Sequence, residues 1–179
     1  MVAQTPPILS SADPAAVEST CREHGLTEAA FRELHTRCVG AKATAYCPYS
    51  EFRVGASLLS VEGVYFNGAN VENASYPVGT CAERVAFGKA VTEGQRRIKA
   101  VAVATDVSPP ASPCGMCRQF AEGLIRPSSP PNSIREFCDL NVPIIMFDKD
   151  DNYVVMRLEE LLPVSFGPEA LPPPRSLRR

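Results

Sequence analysis

Three cysteines and one glutamate stand in two short motifs, and these motifs constrain the fold and chemistry of the chain more than any other feature. The first motif, C-A-E, contains Cys81 and Glu83, and the second, P-C-G-M-C, contains Cys114 and Cys117. Three protein ligands with one open position are typical of a catalytic zinc site, whereas four protein ligands close a structural one. If Cys81 begins a helix, the Glu83 carboxylate can approach the metal without binding it. The three cysteines therefore predict an open zinc site.

Length, composition and charge are those of a single-domain protein. The chain has 179 residues, of which 45% are hydrophobic and 21% charged, which is enough apolar material for one core. A formal net charge of −2 provides no basic field, so we expect no nucleic-acid partner. We find no signal-peptide core and no apolar run approaching the roughly 20 residues of a membrane span, so we expect no membrane partner.

The cysteine count favours thiols over disulfides. The chain has seven cysteines, an odd number, and a reducing cytoplasm fits metal-bound and free thiols best. Outside the two motifs the cysteines have no partner spacing, and we expect them to be buried or free: Cys21, Cys38, Cys47 and Cys138.

Proline-rich segments at both ends and at one internal position separate a single predicted domain from two terminal segments and an insertion. Residues 1–14 contain three prolines without apolar periodicity and are predicted to be a disordered arm. Residues 15–171 are predicted to be a single catalytic domain. Within it, 125–133 is too rich in proline and serine for a helix or strand, so we expect an exposed insertion there. Residues 172–179 are basic and proline-rich and are predicted to be a mobile tail.

Hydrophobic periodicity predicts alternating helices and strands. Helices are predicted within 18–45, broken near Gly25 with the main helix starting at Thr27, and at 81–93 and 114–124. Strands are predicted at 52–59, 64–71, 98–105, 143–147 and 153–158. This order favours an α/β fold, a three-layer α/β/α sandwich with a mixed five-stranded sheet. Both halves of the metal site then lie at helix N-termini, whose partial positive charge favours thiolates.

The two motifs match the signature of zinc-dependent deaminases, H-x-E…P-C-x-x-C, with Cys81 at the histidine position. Further segments resemble the cytidine deaminase family in the family's order, and the resemblance spans about residues 27–170. These segments are P-Y-S at 48–50, F-R-V-G-A at 52–56, N-V-E-N-A-S-Y-P at 70–77, S-P-C-G-M-C-R-Q at 112–119 and L-L-P-V-S-F-G at 161–167.

The resemblance implies an activity and an assembly. Members of the family hydrolyse the exocyclic amine of cytidine and deoxycytidine, giving uridine or deoxyuridine and ammonia in pyrimidine salvage. The implied assembly is a homotetramer with one Zn²⁺ per subunit. Glu83 would shuttle protons while an activated water attacks C4 of cytosine. Independently of the resemblance, three thiolates carry more negative charge than one Zn²⁺ offsets, and we expect Arg84, beside Glu83, to compensate by donating to sulfur.

The resemblance also implies the substrate contacts. Asn70 and Glu72 match a ribose-binding pair, and Phe52 offers a flat face to the base. Backbone groups of two residues would contact O2 and the leaving amine. Phe166 matches an aromatic residue that reaches a neighbouring subunit's site. The two residues whose backbone groups would contact O2 and the leaving amine are Ala82 and Ser112.

Other interpretations remain open on the residues alone. The cysteines would form a structural zinc site if a fourth ligand joined them. Asn70 could be a turn residue, Glu72 a surface acid, and Phe52 and Phe166 core residues. A polynucleotide cytosine deaminase shares the zinc chemistry but needs a basic groove and stacking aromatics, and a deaminase of a cytosine-containing nucleoside antibiotic remains possible.

Overall fold

A mixed sheet of six strands is the centre of the structure, a computed structural model that describes residues 6–122 and 140–165. The strands are β1 (Leu9–Ser10), β2 (Val54–Ser60), β3 (Tyr65–Ala69), β4 (Ile98–Thr105), β5 (Pro143–Phe147) and β6 (Asn152–Arg157). The helices are α1 (Pro14–His24), α2 (Glu28–Ala41), α3 (Ala82–Thr92), α4 (Gly115–Glu122) and α5 (Leu158–Leu161). None of these helices combines the length and apolarity needed to span a bilayer.

The sheet has helices on both faces. Its strand order is β1-β6-β5-β4-β2-β3. Strands β4 and β5 are parallel, whereas all other neighbouring pairs are antiparallel. Helices α1 and α2 pack on one face, and α3, α4 and α5 pack on the other. The predicted three-layer α/β/α fold with a mixed sheet is confirmed.

The sixth strand corrects the prediction of five strands and of a disordered arm over residues 1–14. Leu9 and Ser10 pair with Tyr153 and Asn152 at the edge of the sheet. The Asp13 side chain then accepts a hydrogen bond from the backbone nitrogen of Ala15 at 3.0 Å and caps α1. A two-residue strand is too short to show periodicity, so the prolines around it dominated the prediction. The arm is thus ordered in its described part from Leu9 onward.

Helix boundaries follow the expected capping chemistry. Gly25 ends α1 with φ of +63°, and Thr27 caps α2 by accepting from the Ala30 nitrogen at 3.1 Å, as predicted for the main helix. Helix α2 ends at Ala41 and continues as a 3₁₀ turn at Lys42–Thr44, slightly before the predicted end at residue 45.

Alternation along β4 assigns different residue types to the two faces. Ile98, Val101 and Val103 point towards α3 and α4. Alanines at positions 100, 102 and 104 point towards α1 and α2. Because alanine is small, α2 can lie close to the sheet, while branched residues fill the space beneath α3.

Two glycines allow helices to approach the sheet closely. A Cβ atom at Gly55 would lie 2.0 Å from the Cys38 carbonyl oxygen in α2, and one at Gly68 would lie 2.3 Å from the Ala82 carbonyl oxygen in α3. The second contact fixes the first turn of α3 against β3. The predicted insertion at 125–133 and the tail at 172–179 lie outside the described residues.

Candidate metal centre

Three cysteine sulfurs converge where α3 and α4 begin. Cys81 is the N-cap of α3, Cys114 immediately precedes α4, and Cys117 lies in the first turn of α4. The Sγ atoms of Cys81 and Cys114 are 3.8 Å apart, and those of Cys114 and Cys117 are 3.5 Å apart. All three sulfurs lie within 4.8 Å of one another.

This sulfur cluster fits a zinc ion. A tetrahedral zinc with Zn–S bonds of ~2.3 Å separates its sulfurs by about 3.8 Å, close to the spacings observed. Among the described residues, no further cysteine, histidine or carboxylate belongs to the cluster. The donor set therefore leaves one coordination position open within the described part of the chain, as a catalytic site requires.

Glu83 lies beside the cluster in the first turn of α3. Its side chain is buried, with 5% of the residue exposed. Burial raises the pKa of the Glu83 carboxyl, and the neighbouring Cys81 thiolate acts in the same direction. A carboxyl with a raised pKa can both accept and return a proton near neutral pH. The burial of Glu83 and the direction of its pKa shift are those expected of a general acid–base.

A small apolar cavity lies behind Glu83. It has a volume of about 10 Å³, and its lining includes Phe87, Val101, Ile144 and Leu161. These side chains exclude solvent from the inner side of the carboxyl, which is the physical origin of the burial that raises its pKa.

Arg84 provides positive charge beside the Cys81 sulfur. Its Nη2 atom donates to the Cys81 sulfur at 3.9 Å and to the Gly79 carbonyl oxygen at 3.2 Å. The hydrogen bond from Cys117, followed by the contact with Arg84, lowers the pKa of the Cys81 thiol to about 5. Cys81 is therefore held as a thiolate ready to bind a cation.

Asn70 organises the segment that carries Phe52. Its Oδ1 atom accepts from the Val54 nitrogen at 2.8 Å, and its Nδ2 atom donates to the Phe52 carbonyl oxygen at 2.8 Å. An amide nitrogen carries two hydrogens, so one donor remains for a ligand. Phe52 itself is half-buried, which leaves part of its ring accessible.

Glu72 anchors the turn before Phe52. Its carboxylate accepts from the backbone nitrogens of Tyr49 at 2.9 Å and Ser50 at 3.2 Å, and from the Ser50 hydroxyl. The hydrogen bond from that hydroxyl lowers the pKa of Glu72. A hollow of about 260 Å³ opens here, lined by Tyr49, Ser50, Glu72, Asn73, Tyr76 and Gly79.

The remaining predicted site residues differ in how far the structure describes them. Ala82 is fully buried in the first turn of α3. Ser112 is exposed, and its Oγ atom accepts a hydrogen bond from Arg118 at 2.9 Å. Phe166 lies outside the described residues, so its predicted role is untested.

Sequence reasoning missed two residues that position the site. Arg118 donates to three oxygens around the loop before Cys114, and Gly68 permits α3 to approach β3. The C-R sequence at 117–118 was visible, but one of the oxygens that Arg118 contacts is the Leu161 carbonyl, which is 43 residues away along the chain. The signal for Gly68 was a glycine inside a predicted strand, which is typical of close backbone approach.

Known proteins are similar to this chain in sequence and in fold. A family model described as the cytidine and deoxycytidylate deaminase zinc-binding region matches residues 30–125. The chain is 40% identical to the cytidine deaminase of Sporosarcina psychrophila, over 73% of this chain and 87% of the relative. It is 38% identical to that of Halalkalibacterium halodurans, over 73% of this chain and 89% of the relative.

A solved structure agrees with these sequence matches. The crystal structure of cytidine deaminase from Burkholderia pseudomallei aligns with a TM-score of 0.66 and 34% identity, covering 75% of this chain and 98% of that one. From the family model, the relatives and the shared fold, we conclude that this chain is an enzyme of the cytidine deaminase family.

Proposed function

We propose that this enzyme hydrolyses the exocyclic amine of cytidine and deoxycytidine, giving uridine or deoxyuridine and ammonia, as a step of pyrimidine salvage. The observation that carries the proposal is the buried Glu83 carboxyl beside three converging sulfurs with no fourth described ligand. Cytidine is proposed as a substrate because the relatives from Sporosarcina psychrophila and Halalkalibacterium halodurans are both cytidine deaminases.

One zinc ion per subunit is proposed at Cys81, Cys114 and Cys117. When bound, zinc supplies Lewis-acid activation of the attacking water. Three thiolates carry more negative charge than the ion offsets, which weakens that activation. The guanidinium of Arg84, 3.9 Å from the Cys81 sulfur, withdraws charge from this ligand and so strengthens the activation.

Glu83 moves the protons of the reaction. It takes a proton from the attacking water and delivers it to N3 of cytosine, so that the oxygen can bond to C4. The same carboxylate then takes the second proton, from the new C4 hydroxyl, and passes it to the amine, so that the C4 carbonyl forms as the C4–N4 bond breaks and ammonia leaves. Both roles are served by a pKa raised by burial, because a weaker acid is a stronger base towards the attacking water.

The sugar and the base have separate proposed contacts. The free Nδ2 hydrogen of Asn70 and the carboxylate of Glu72 bind the ribose hydroxyls, and the Phe52 ring packs on the base. A 5′-phosphate near Glu72 would be repelled, so nucleosides are preferred to nucleotides. Backbone groups of Ala82 and Ser112 contact O2 and the leaving amine.

The assembly completes the site in this proposal. Phe166 reaches the site of a neighbouring subunit in a cytoplasmic homotetramer. Exposed apolar side chains near the hollow support an assembly contact there, since isolated subunits seldom leave such clusters uncovered. These include Tyr46, Tyr49, Val71, Tyr76 and Val78.

The test is the loss of ultraviolet absorbance of cytidine on addition of the purified protein. We expect turnover of cytidine and deoxycytidine that a strong chelator abolishes and added zinc restores. A cytosine-containing single-stranded oligonucleotide and cytidine 5′-monophosphate serve as parallel substrates, and both should react at least about tenfold more slowly. Faster deamination of the oligonucleotide, or activity indifferent to zinc removal, would contradict the proposal.

A further inference from the structure

Arg118 links three parts of the chain beside the sulfur cluster. It lies in the first turn of α4, directly after Cys117. Its Nε atom donates to the Pro113 carbonyl oxygen at 2.7 Å, and its Nη2 atom donates to the Ser112 hydroxyl oxygen at 2.9 Å. Its Nη1 atom donates to the Leu161 carbonyl oxygen at 2.7 Å. Because a guanidinium presents its donors in a rigid planar fork, one side chain fixes three acceptors relative to one another.

Two of these acceptors belong to the loop that delivers Cys114. The Pro113 carbonyl is part of the peptide bond to Cys114, so the orientation of this peptide helps set the position of the Cys114 sulfur. Cys117 is buried within α4, whereas Cys114 is exposed. Packing therefore restrains Cys114 less than Cys117. The hydrogen bonds of the Arg118 guanidinium connect the loop of Cys114 to the helix that contains Cys117.

The third acceptor connects the loop to the segment after α5. Leu161 is the last residue of α5, and the Ser165 hydroxyl donates to the carboxylate of Glu122 on α4. Arg118 and Glu122 are four residues apart, which places them on one face of the helix. One face of α4 thus holds residues 161–165 and, through Arg118, the loop before Cys114.

We propose that Arg118 is a positioning residue that fixes Cys114 for zinc and couples this ligand to the segment following α5. This inference rests on the proposed function, because it requires zinc at the three cysteines. The role differs from that of Arg84, which contacts a sulfur and offsets its charge. The three contacts of Arg118 are with oxygen atoms, so its contribution is geometric.

The test is the rate at which the zinc-loaded enzyme releases zinc to an excess of a chromogenic chelator, well below the unfolding temperature. The variants form a graded series: Ser112→Ala removes one acceptor, Arg118→Lys retains a single point donor, and Arg118→Met removes all three hydrogen bonds. We expect release to accelerate in that order, reaching at least about tenfold in Arg118→Met. A hydrogen bond to a charged group is worth about 1.5–3 kcal/mol, and 1.4 kcal/mol corresponds to about tenfold.

Arg97→Met is the matched control. Arg97 is exposed and pairs with Glu62 at 3.1 Å, just before β4 and thus at the end of this strand opposite the loop to Cys114. Its zinc release should equal that of the unmodified enzyme. Measured release that is unchanged in Arg118→Lys and in folded Arg118→Met overturns the inference.

Two further outcomes are also decisive. If Arg118→Met does not fold, Ser112→Ala and Arg118→Lys decide in the same way, since faster release supports the inference and unchanged release overturns it. If the unmodified enzyme retains no zinc at all, the proposed function fails and this inference fails with it.

Discussion

The two faces of the sheet use similar packing for different purposes. The face under α1 and α2 is an aromatic cluster, in which the Phe31 ring lies 5.7 Å from Phe147 and 5.1 Å from Tyr153, centroid to centroid. The face under α3 and α4 places small residues of α3 against branched strand residues. Its helix N-termini carry the cysteines and Glu83. One face principally supplies stability, and the other positions reactive groups.

Close helix–sheet contact has a different consequence on each face. Gly55 brings α2 to the sheet near Cys38, which is buried and hydrogen-bonded to a backbone carbonyl within its own helix. Gly68 brings the first turn of α3 to the sheet, and this turn holds Glu83 beside the Cys81 sulfur. Substitutions that disturb helix–sheet packing equally on the two faces should therefore have unequal effects on catalysis.

The sharpest test of this division is Glu83→Ala. We expect kcat for cytidine to fall at least about a thousandfold, because the proton carrier is lost, while bound zinc and the thermal unfolding temperature stay unchanged. Steady-state kinetics, metal analysis and calorimetry measure these quantities. Glu93→Ala, at the exposed end of the same helix, is the control and should be fully active. Substantial remaining deamination by Glu83→Ala would refute the assigned role.

A matched pair of aromatic truncations compares the faces directly. Phe31 is 1% exposed on the α2 face, and Phe87 is 2% exposed on the α3 face, where it lines the cavity behind Glu83. Each change to alanine should lower the free energy of unfolding by about 3–5 kcal/mol. Only Phe87→Ala should also lower kcat, by about tenfold, since water can then reach the inner side of Glu83. Urea denaturation and kinetics provide the readouts, and equal kcat losses in both variants would break the comparison.

The glycine pair tests the same distinction with a single methyl group. Gly55→Ala and Gly68→Ala each force backbone atoms apart, and we expect each to lower the free energy of unfolding by about 1–3 kcal/mol. Gly68→Ala should in addition lower zinc affinity, because the turn that follows Cys81 must shift. Chelator competition measures that affinity. If Gly55→Ala weakens zinc binding as much, the contact at Gly68 has no special relation to the site.

The smallest expected effect concerns an ion cluster at the end of the α2 face. Burial raises the pKa of Asp106, but hydrogen bonds from Arg53 and Lys42 outweigh it and hold the pKa below its usual value. The charged form therefore contributes stability that is fully present above the unfolded pKa of about 3.9 and is lost as pH falls through the folded pKa.

Asp106→Asn tests this cluster. Near neutral pH the free energy of unfolding should fall by less than about 1 kcal/mol, with kcat unchanged. The difference from the unmodified enzyme should shrink as pH falls below about 4. Asp150→Asn, whose carboxylate pairs with adjacent Lys149 in an exposed contact, should show no comparable effect. A deficit that persists at low pH would contradict the electrostatic explanation.

Sequence reasoning succeeded where residue identity carries the information. The cysteine pattern indicated the cluster because thiolates are zinc ligands, and β4 and β5 have the predicted bounds because buried strands of branched residues are distinctive. It failed for β1, whose two residues are too few to show alternation. It also missed Arg118, because the Leu161 carbonyl that it contacts becomes a neighbour only in the folded chain.

The separation of the cysteines along the chain has a consequence for folding. Cys81 and Cys114 are 33 residues apart and begin two different helices, so a bound ion closes a long loop and joins both helices. A ligand that binds only the folded chain stabilises it by about 2.7 kcal/mol at a concentration of 100 times its dissociation constant. The supply of zinc would then govern the amount of folded protein as well as its chemistry, because chains without the ion lack this link between the first turns of α3 and α4.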